Sequence, residues 1–469
     1  MSVLALEQAR EFEETIARGR ALMESRVIWN VNSTARGGGV AEMLASLLAY
    51  TRGAGLDARW VVIDGDPAFF RVTKRIHNML HGSPGDGEGL GSEDEAVFRE
   101  NAARNAGELG PLVRRGDVVL LHDPQTAGLI EPLRERGAHV VWRCHVGVDD
   151  PNGLAHEAWA FLRRYVLPAE AVVFSREAYV WDGLDEGRVR VIPPSIDAFS
   201  AKNQDMDAEV VRSILRVAGL EPGDAEAQPV FGRRDGTPGR VDRRAELSGS
   251  KPLPPEAPAV VQVSRWDRLK DPLGILEAFR DGIAPASDAH LVLAGPSTAA
   301  VADDPEGLEV LTEVERRRGE CDSATRERIH LFSLPMDDVE ENAAIVNALQ
   351  RRADVVVQKS LAEGFGLTVS EAMWKARPVV ASRVGGIQEQ IADGETGVLV
   401  DPRDLSAFAE AVAIQIRNPG TAREIGVRAR EQVREQFLGP NHLRHYVDLF
   451  EALLTGTSTR SARSPSRFA

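Results

Sequence analysis

DVVVQKSLAEGFGLTVSEAMWKARPVVAS, Asp354 to Ser382, reads as strand, loop, helix and strand again. Its two β-branched runs are too short for helices, and the segment between them has helical spacing, which is the pattern of a βαβ unit in a parallel sheet. The same alternation extends to both sides. AVVQVS (Ala259 to Ser264), LVLAG and IHLFS precede it, and TGVLV follows it. An earlier series runs through VIWNV (Val27 to Val31), ARWVVID (Ala58 to Asp64), DVVLLH, HVVWRCH and AVVF, with the helical pattern VAEMLASLLAY after the first strand. Two α/β domains are expected.

The expected boundaries are residues 1–200 for a Rossmann-like N-terminal domain and 259–435 for a second one. Residues 201–258 read as linker and insertion, because Glu221 to Pro258 is rich in Pro, Gly, Arg and Asp and has little apolar periodicity. A closing helix is expected over 436–455, and a disordered small, polar tail over 456–469. An open parallel sheet binds ligands at the carboxyl ends of its strands, so the expected active site lies between two such sheets.

Composition excludes several classes. The formal charge is -15, from 56 basic and 71 acidic residues, which disfavours nucleic acid as a partner. No run approaches the ~18 uncharged apolar residues of a membrane span, and the N-terminus lacks a signal-peptide pattern. Cys144 and Cys321 have no metal-ligand spacing. A cytoplasmic location is expected.

The chemistry is concentrated at strand ends. Gly364 and Gly366 allow close backbone approach, and the helix expected to start near Thr368 offers N–H groups and a positive dipole end to an anion. Glu363 and Glu371 stand eight residues apart, able to hold hydroxyls at two ends of one molecule. Thr368 and Glu371 also match a capping box, a purely structural use of the glutamate. After the strand AVVQVS, Arg265 and Lys270 are suited to a diphosphate, with Arg268 read as a solvated neighbour. Gly37, Gly38 and Gly39 follow the first strand where a phosphate loop would sit, without the dinucleotide spacing. On the other domain, Lys74, His77, Asn78 and His81 share one helical face, and HDPQ (His122 to Gln125) and WRCHVGVDDPN (Trp142 to Asn152) end strands in polar loops. Asp64-Gly65-Asp66 has the form of a metal clamp, but reads as an Asp-rich turn.

Together these segments resemble the family-4 retaining glycosyltransferases of the GT-B fold, two Rossmann-like domains facing across a deep cleft. Ser264, Arg265 and Lys270 match that family's S-R-x(4)-K loop, and Glu363 and Glu371 its E-x(7)-E motif. VNSTARGGGVAEML, FFRVTKRIHNMLHG, LLHDPQTAGLI and WRCHVGVDDPN look like the trehalose glycosyltransferring synthases and the related trehalose phosphorylases. The resemblance implies retaining transfer of glucose from a nucleoside diphosphate glucose to free glucose, giving α,α-trehalose reversibly, with no cofactor and no metal requirement. It implies donor binding by Gly38, Gly39, Arg265, Lys270, Glu363, Gly364, Phe365, Gly366, Leu367, Thr368 and Glu371. Catalytic roles fall on Arg265, Lys270, Glu363 and His145. Acceptor binding falls on Lys74, His77, Asn78, Asp123, Gln125, Trp142, Arg143, His145 and Asp149. The partners expected are nucleoside diphosphate glucose and glucose or trehalose, with no nucleic acid, no membrane, and a homodimer as the quaternary expectation. Trehalose phosphorylase, a related transferase with another small acceptor, and a catalytically silent sugar-nucleotide-binding module are the competing readings. A dehydrogenase is disfavoured by the glycine spacing.

Overall fold

The computed structural model describes residues 3–35, 39–298 and 305–456. Its contacts divide the chain into two units. One runs to Ser195 and resumes at Gly439, and the other is Ile196–Leu438.

The first unit is built on six parallel strands, β1 (Ile28–Asn32), β2 (Ala58–Val62), β3 (Val118–His122), β4 (His139–Cys144), β5 (Ala171–Phe174) and β6 (Val189–Val191), in the order β2-β1-β3-β4-β5-β6. The period of two sorts its side chains into two cores. Trp29, Val31, Val119, Leu121, Val140, Trp142, Val172 and Phe174 face one layer of helices. Ile28, Val118, Leu120, Val141 and Val173 face the other. That second face is covered by Leu443, Tyr446, Val447, Leu449 and Phe450 of the last described helix, Gly439–Thr455. The first helix, Leu6–Leu22, packs on it in turn, with Arg18 paired to Asp448 and Glu451. β1, β3 and β5 are buried throughout, whereas the edge strand β2 is buried only in part. The chain steps from β1 out to β2 on one side and then to β3 on the other, so the connections diverge between β1 and β3, where such sheets bind ligands.

In the second unit a seven-stranded sheet has the order β15-β14-β13-β10-β11-β12-β9. Its strands are β9 (Glu246–Leu247), β10 (Ala259–Val263), β11 (His290–Pro296), β12 (Ile329–Leu334), β13 (Val355–Gln358), β14 (Val379–Ser382) and β15 (Val398–Val400), and only β9 pairs antiparallel. Here the connections diverge between β10 and β13. The six parallel strands are those expected from their apolar runs.

Residues 201–258 do not form a linker. They belong to the second unit, contributing a helix (Ala208–Val217), a hairpin of β7 (Val230–Gly232) and β8 (Pro238–Arg240), and the edge strand β9. Apolar content is low because charge does much of the anchoring. Arg233 donates to Asp338 at 2.5 Å, Arg352 to Glu221 at 2.8 Å, and the buried Glu341 accepts from Arg243 and from two backbone N–H groups. Beyond Val211, Ile214, Leu215 and Leu220, on and just after the helix, Phe231, Val241 and Leu253 are the buried apolar anchors. No described helix is long and apolar enough to cross a membrane.

Candidate functional site

At the β10/β13 divergence of the second unit, buried polar residues interrupt two otherwise apolar strands. Gln262 of β10 donates to Lys270 O (2.9 Å) and accepts from Lys359 N (3.0 Å), which ties the two strand-end loops together. Gln358 of β13 accepts from the Thr368 hydroxyl at 2.9 Å. Lys359, almost fully buried, pairs with Asp271 and donates to Pro402 O. Asp271 has φ +47°, and caps the helix Pro272–Ala278 by accepting from Gly274 N. These side chains hold Lys270 in place. Its Nζ meets Glu363 Oε2 at 2.5 Å, with the Ser360 hydroxyl 3.3 Å from the same oxygen. Thus the ammonium and the carboxylate singled out in the sequence lie side by side on the divergence.

Arg265 is exposed and pairs with Asp267 at 3.0 Å, so it stands at the rim of this cluster. Arg268 turns away to Glu309 and Glu313, as expected for a solvated neighbour. Gly366 has φ +82°, where a side chain would be strained, and begins the helix Leu367–Trp374. A Cβ on Gly386 would lie 2.6 Å from Phe365 Cα, so the loop packs against bare backbone there. Phe365 buries its ring against Phe437, leaving backbone as its means of meeting a ligand, while Gly364, Leu367 and Thr368 are half-buried.

Glu371 is not part of a capping box. The helix starts one residue earlier than expected, its N-cap is Gly366, and the Thr368 hydroxyl is given to Gln358. The carboxylate is instead buried, with Oε1 3.6 Å from Lys202 Nζ and Oε2 without a hydrogen-bond partner among the described residues. A buried carboxylate oxygen with no donor is costly unless something supplies one. Beneath it, Lys375 donates to Asn203 Oδ1 and Glu371 O, both at 3.0 Å. Burial lowers the Lys375 ammonium to about 7, against the opposing pull of Glu371.

The β1/β3 divergence of the first unit is built differently. Asp123, just after β3, has φ +66°, a conformation costly for a residue with a Cβ. Three contacts hold it there: Asp123 N donates to Arg143 O (2.8 Å), Trp142 Nε1 donates to Asp123 O (3.0 Å), and His145 N donates to Asp123 Oδ1 (2.7 Å). Burial raises the Asp123 carboxyl to about 7. His145 lies beside His122, with nitrogens 3.2 Å apart and rings nearly parallel. Burial first, and then the Arg143 charge, push His122 down to about 3 and hold His145 well below the usual imidazole range. Both rings are therefore neutral.

Two expected acceptor contacts are corrected. Trp142 and Arg143 are fully buried, and the Arg143 guanidinium is committed to Tyr446 OH (2.6 Å), Ile192 O (3.0 Å) and His145. They support the loop and do not reach a ligand. Lys74, His77, Asn78 and Gln125 do converge, lining one cavity of about 940 Å³ with Thr34 and Phe70. Gln125 Oε1 is buried without a partner among the described residues, and burial lowers His77 to about 4. Asp149 lies apart from that lining, paired with Arg176 at 2.6 Å. Asp66 caps the helix Pro67–Leu80, in keeping with an Asp-rich turn. Gly38 lies outside the described residues, and Gly39 opens the helix Gly39–Gly53. Among the described residues, no group of three or more His, Cys, Asp and Glu side chains could hold a metal ion.

Residues 30–181 match the family described as trehalose synthase, N-terminal domain, and residues 243–432 match glycosyl transferases group 1. The trehalose synthase of Pyrococcus horikoshii is 35% identical over 452 residues, covering 96% of this chain and 95% of that one. This chain belongs to the trehalose synthase family. It is a glycosyltransferase with trehalose-related activity. The trehalose phosphorylase of Pleurotus pulmonarius is more distant, 26% identical over 86% of this chain and 55% of its own length. An alpha,alpha-trehalose-phosphate synthase (UDP-forming) from Burkholderia vietnamiensis superposes with a TM-score of 0.65 at 15% identity, over 92% of this chain and 99% of that one. The fold is GT-B.

Sequence reasoning on strand ends missed Asn30, Gln262, Gln358 and Lys359. The signal was present: each is a polar residue at or near the carboxyl end of a run that is otherwise apolar.

Proposed function

We propose that this family member is a retaining glucosyltransferase that makes α,α-trehalose from a nucleoside diphosphate glucose and free glucose, reversibly and without a metal requirement. The observation that carries the reading is the Lys270–Glu363 pair on the β10/β13 divergence, next to the Gly366-capped helix start. An ammonium and helix N–H groups suit a diphosphate, and the adjoining carboxylate suits hexose hydroxyls. The unpartnered Oε2 of Glu371 suits the ribose diol. The UDP-forming description of the Burkholderia protein agrees with a nucleotide donor.

The bond from the anomeric carbon to the diphosphate oxygen breaks as a bond forms, on the same face, to the acceptor's anomeric oxygen. The acceptor's proton passes to the departing phosphate oxygen. Lys270, and Arg265 swung inward from its exposed pairing, stabilise the leaving charge. His145 contacts the sugar, and Lys74, His77, Asn78 and Gln125 bind acceptor hydroxyls. The depressed His145 basicity agrees with this route, because a neutral imidazole is not poised to protonate a leaving group.

The test is a donor-by-acceptor matrix without added metal, with products identified by NMR. A non-reducing α,α-disaccharide from a nucleoside diphosphate glucose and glucose is expected. Absence of product at saturating donors overturns the proposal. Cleavage of trehalose by phosphate alone, giving glucose 1-phosphate, would assign the chain to the phosphorylases instead.

A further inference from the structure

Between β13 and the helix Leu367–Trp374, three successive loop carbonyls are held by protein N–H groups. Gly364 O accepts from Gly386 N at 3.1 Å. Phe365 O accepts from Gln390 Nε2 at 2.5 Å, and the same nitrogen reaches Gly366 O at 3.3 Å and Gly386 O at 3.2 Å. Gly366 O also receives Val369 N–H at 2.9 Å. Gln390 is fully buried at the end of the short helix Ile387–Gln390, and its Oε1 accepts from the Ser370 hydroxyl. Only one orientation of this amide serves every contact, because carbonyl oxygens can only accept while the hydroxyl can donate. The NH₂ group faces the loop, and the oxygen faces Ser370.

The direction of a carbonyl fixes the rest of its peptide. The peptides here are trans, and in a trans peptide the N–H points opposite to the C=O. With Phe365 O and Gly366 O drawn toward Gln390, the N–H groups of Gly366 and Leu367 point to the other side of the loop. Neither has a backbone partner among the described residues. Gly366, at φ +82°, is also what makes this orientation reversible, since glycine tolerates φ of either sign and lets the peptide before it turn over. Turned over, the Phe365–Gly366 peptide would set a carbonyl oxygen where an N–H now stands, and that oxygen would repel an anion.

We propose that Gln390 is a positioning residue that holds the Phe365–Gly366 peptide with its N–H outward, so that the loop meets the diphosphate of the sugar nucleotide with N–H groups alone. The inference rests on the reading that this loop meets that diphosphate, and deepens it by naming the side chain that sets the loop's polarity. Gln390 is buried behind the loop and acts through the peptide it holds.

Phe231-Gly232 and Phe365-Gly366 are the two Phe-Gly steps of the sequence. The full chain labelled with ¹³C-carbonyl Phe and ¹⁵N Gly therefore gives two selected amide signals, and the one that survives in Phe231→Leu belongs to Gly366. ADP, UDP and GDP, each beside its nucleoside, are the probes, and the pair that binds wild type tightest is carried forward. The Gly366 signal is expected to move with the nucleoside diphosphate and not with the nucleoside. Gln390→Met keeps the length and burial of the side chain but cannot donate. In it the Gly366 response is expected to disappear and the Kd of the diphosphate to rise at least about tenfold, the effect of one lost hydrogen bond to a charged group, with the nucleoside's Kd unchanged. A general loosening of the fold would weaken both ligands alike. Equal weakening of both, or an unchanged diphosphate Kd with the Gly366 response retained, overturns the proposal. A wild-type Gly366 signal indifferent to every diphosphate overturns the reading of the loop itself, and the proposal with it. If Gln390→Met does not fold, Ser370→Ala, which removes the hydroxyl that holds the amide oxygen, takes its place, with the same pattern expected at about threefold and the same outcomes decisive.

Discussion

The two sheet ends hold their functional groups by opposite means. At the β10/β13 divergence the second unit places charges against charges, Lys270 on Glu363 and Lys359 on Asp271. At the β1/β3 divergence the first unit surrounds one buried guanidinium, Arg143, with neutral imidazoles, amides and a phenol. Ion pairs keep their charge when buried. Desolvated histidines lose theirs, and what they offer is direction. The charged end therefore suits the part of the reaction where charge moves, and the neutral end suits recognition of a polyhydroxylated ring.

Lys270→Ala should break the charged end most severely. It removes the leaving-group contact and strands Glu363, and kcat/KM is expected to fall about 10²–10³-fold, as for loss of one charge-stabilising donor. A near-normal value in steady-state assays would remove Lys270 from the chemistry. Next, Glu371→Gln replaces an acceptor with a donor at one buried oxygen. The expected loss is about 1.5–3 kcal/mol in kcat/KM for the nucleotide donor, the worth of a hydrogen bond to a charged group. An unchanged donor KM and kcat would show that Oε2 does not meet the ribose.

Lys375 sharpens the comparison, because it is a base treated by burial in the way the first unit treats its histidines. With its folded value near 7 and its ordinary one at 10.5, the unfolded chain binds the extra proton between these limits. Stability should therefore rise with pH through that window. Lys375→Met should lose that rise when denaturant unfolding is followed from pH 7 to 10, and a retained slope would contradict the assignment. The smallest effect belongs to Arg233→Ala, the loss of a partly exposed pair that solvent screens. Asp338 is held down to about 2 by Arg233, so the pair stabilises the fold above the ordinary carboxylate value of 3.8, and its contribution fades as pH falls toward 2. Parallel unfolding curves for both proteins across that range would show the pair to be idle.

Much of this was legible in the sequence. The apolar runs located eleven strands because a strand buried on both faces needs little except apolar side chains. The short β6 and β9 were not visible, since each owes its pairing to a neighbouring strand and not to its own pattern. Glu221 to Pro258 looked unstructured because its anchors are ion pairs to Asp338, Glu341 and Arg352, which lie far along the chain. Spacing identified Lys270 and Glu363, but could not choose between a cap and a ligand for Glu371. The cap is removed by a single left-handed glycine, Gly366, which starts the helix one residue early. Trp142 and Arg143 were misjudged because a polar residue at a strand end can point into the core as well as out of it.

The return of the Gly439–Thr455 helix to the first unit has a consequence for biosynthesis. The second unit is one unbroken stretch of chain and can fold as it leaves the ribosome, whereas the first unit lacks one wall of its core until the last helix is made. At about 5–20 residues per second, that wait lasts on the order of 10–50 seconds. Through it the apolar face of Ile28, Leu120 and Val173 lacks the side chains of the last helix, and Arg143 has no Tyr446 to bind. Truncation within the final helix would therefore release a nascent chain whose second unit is finished and whose histidine site has never been assembled.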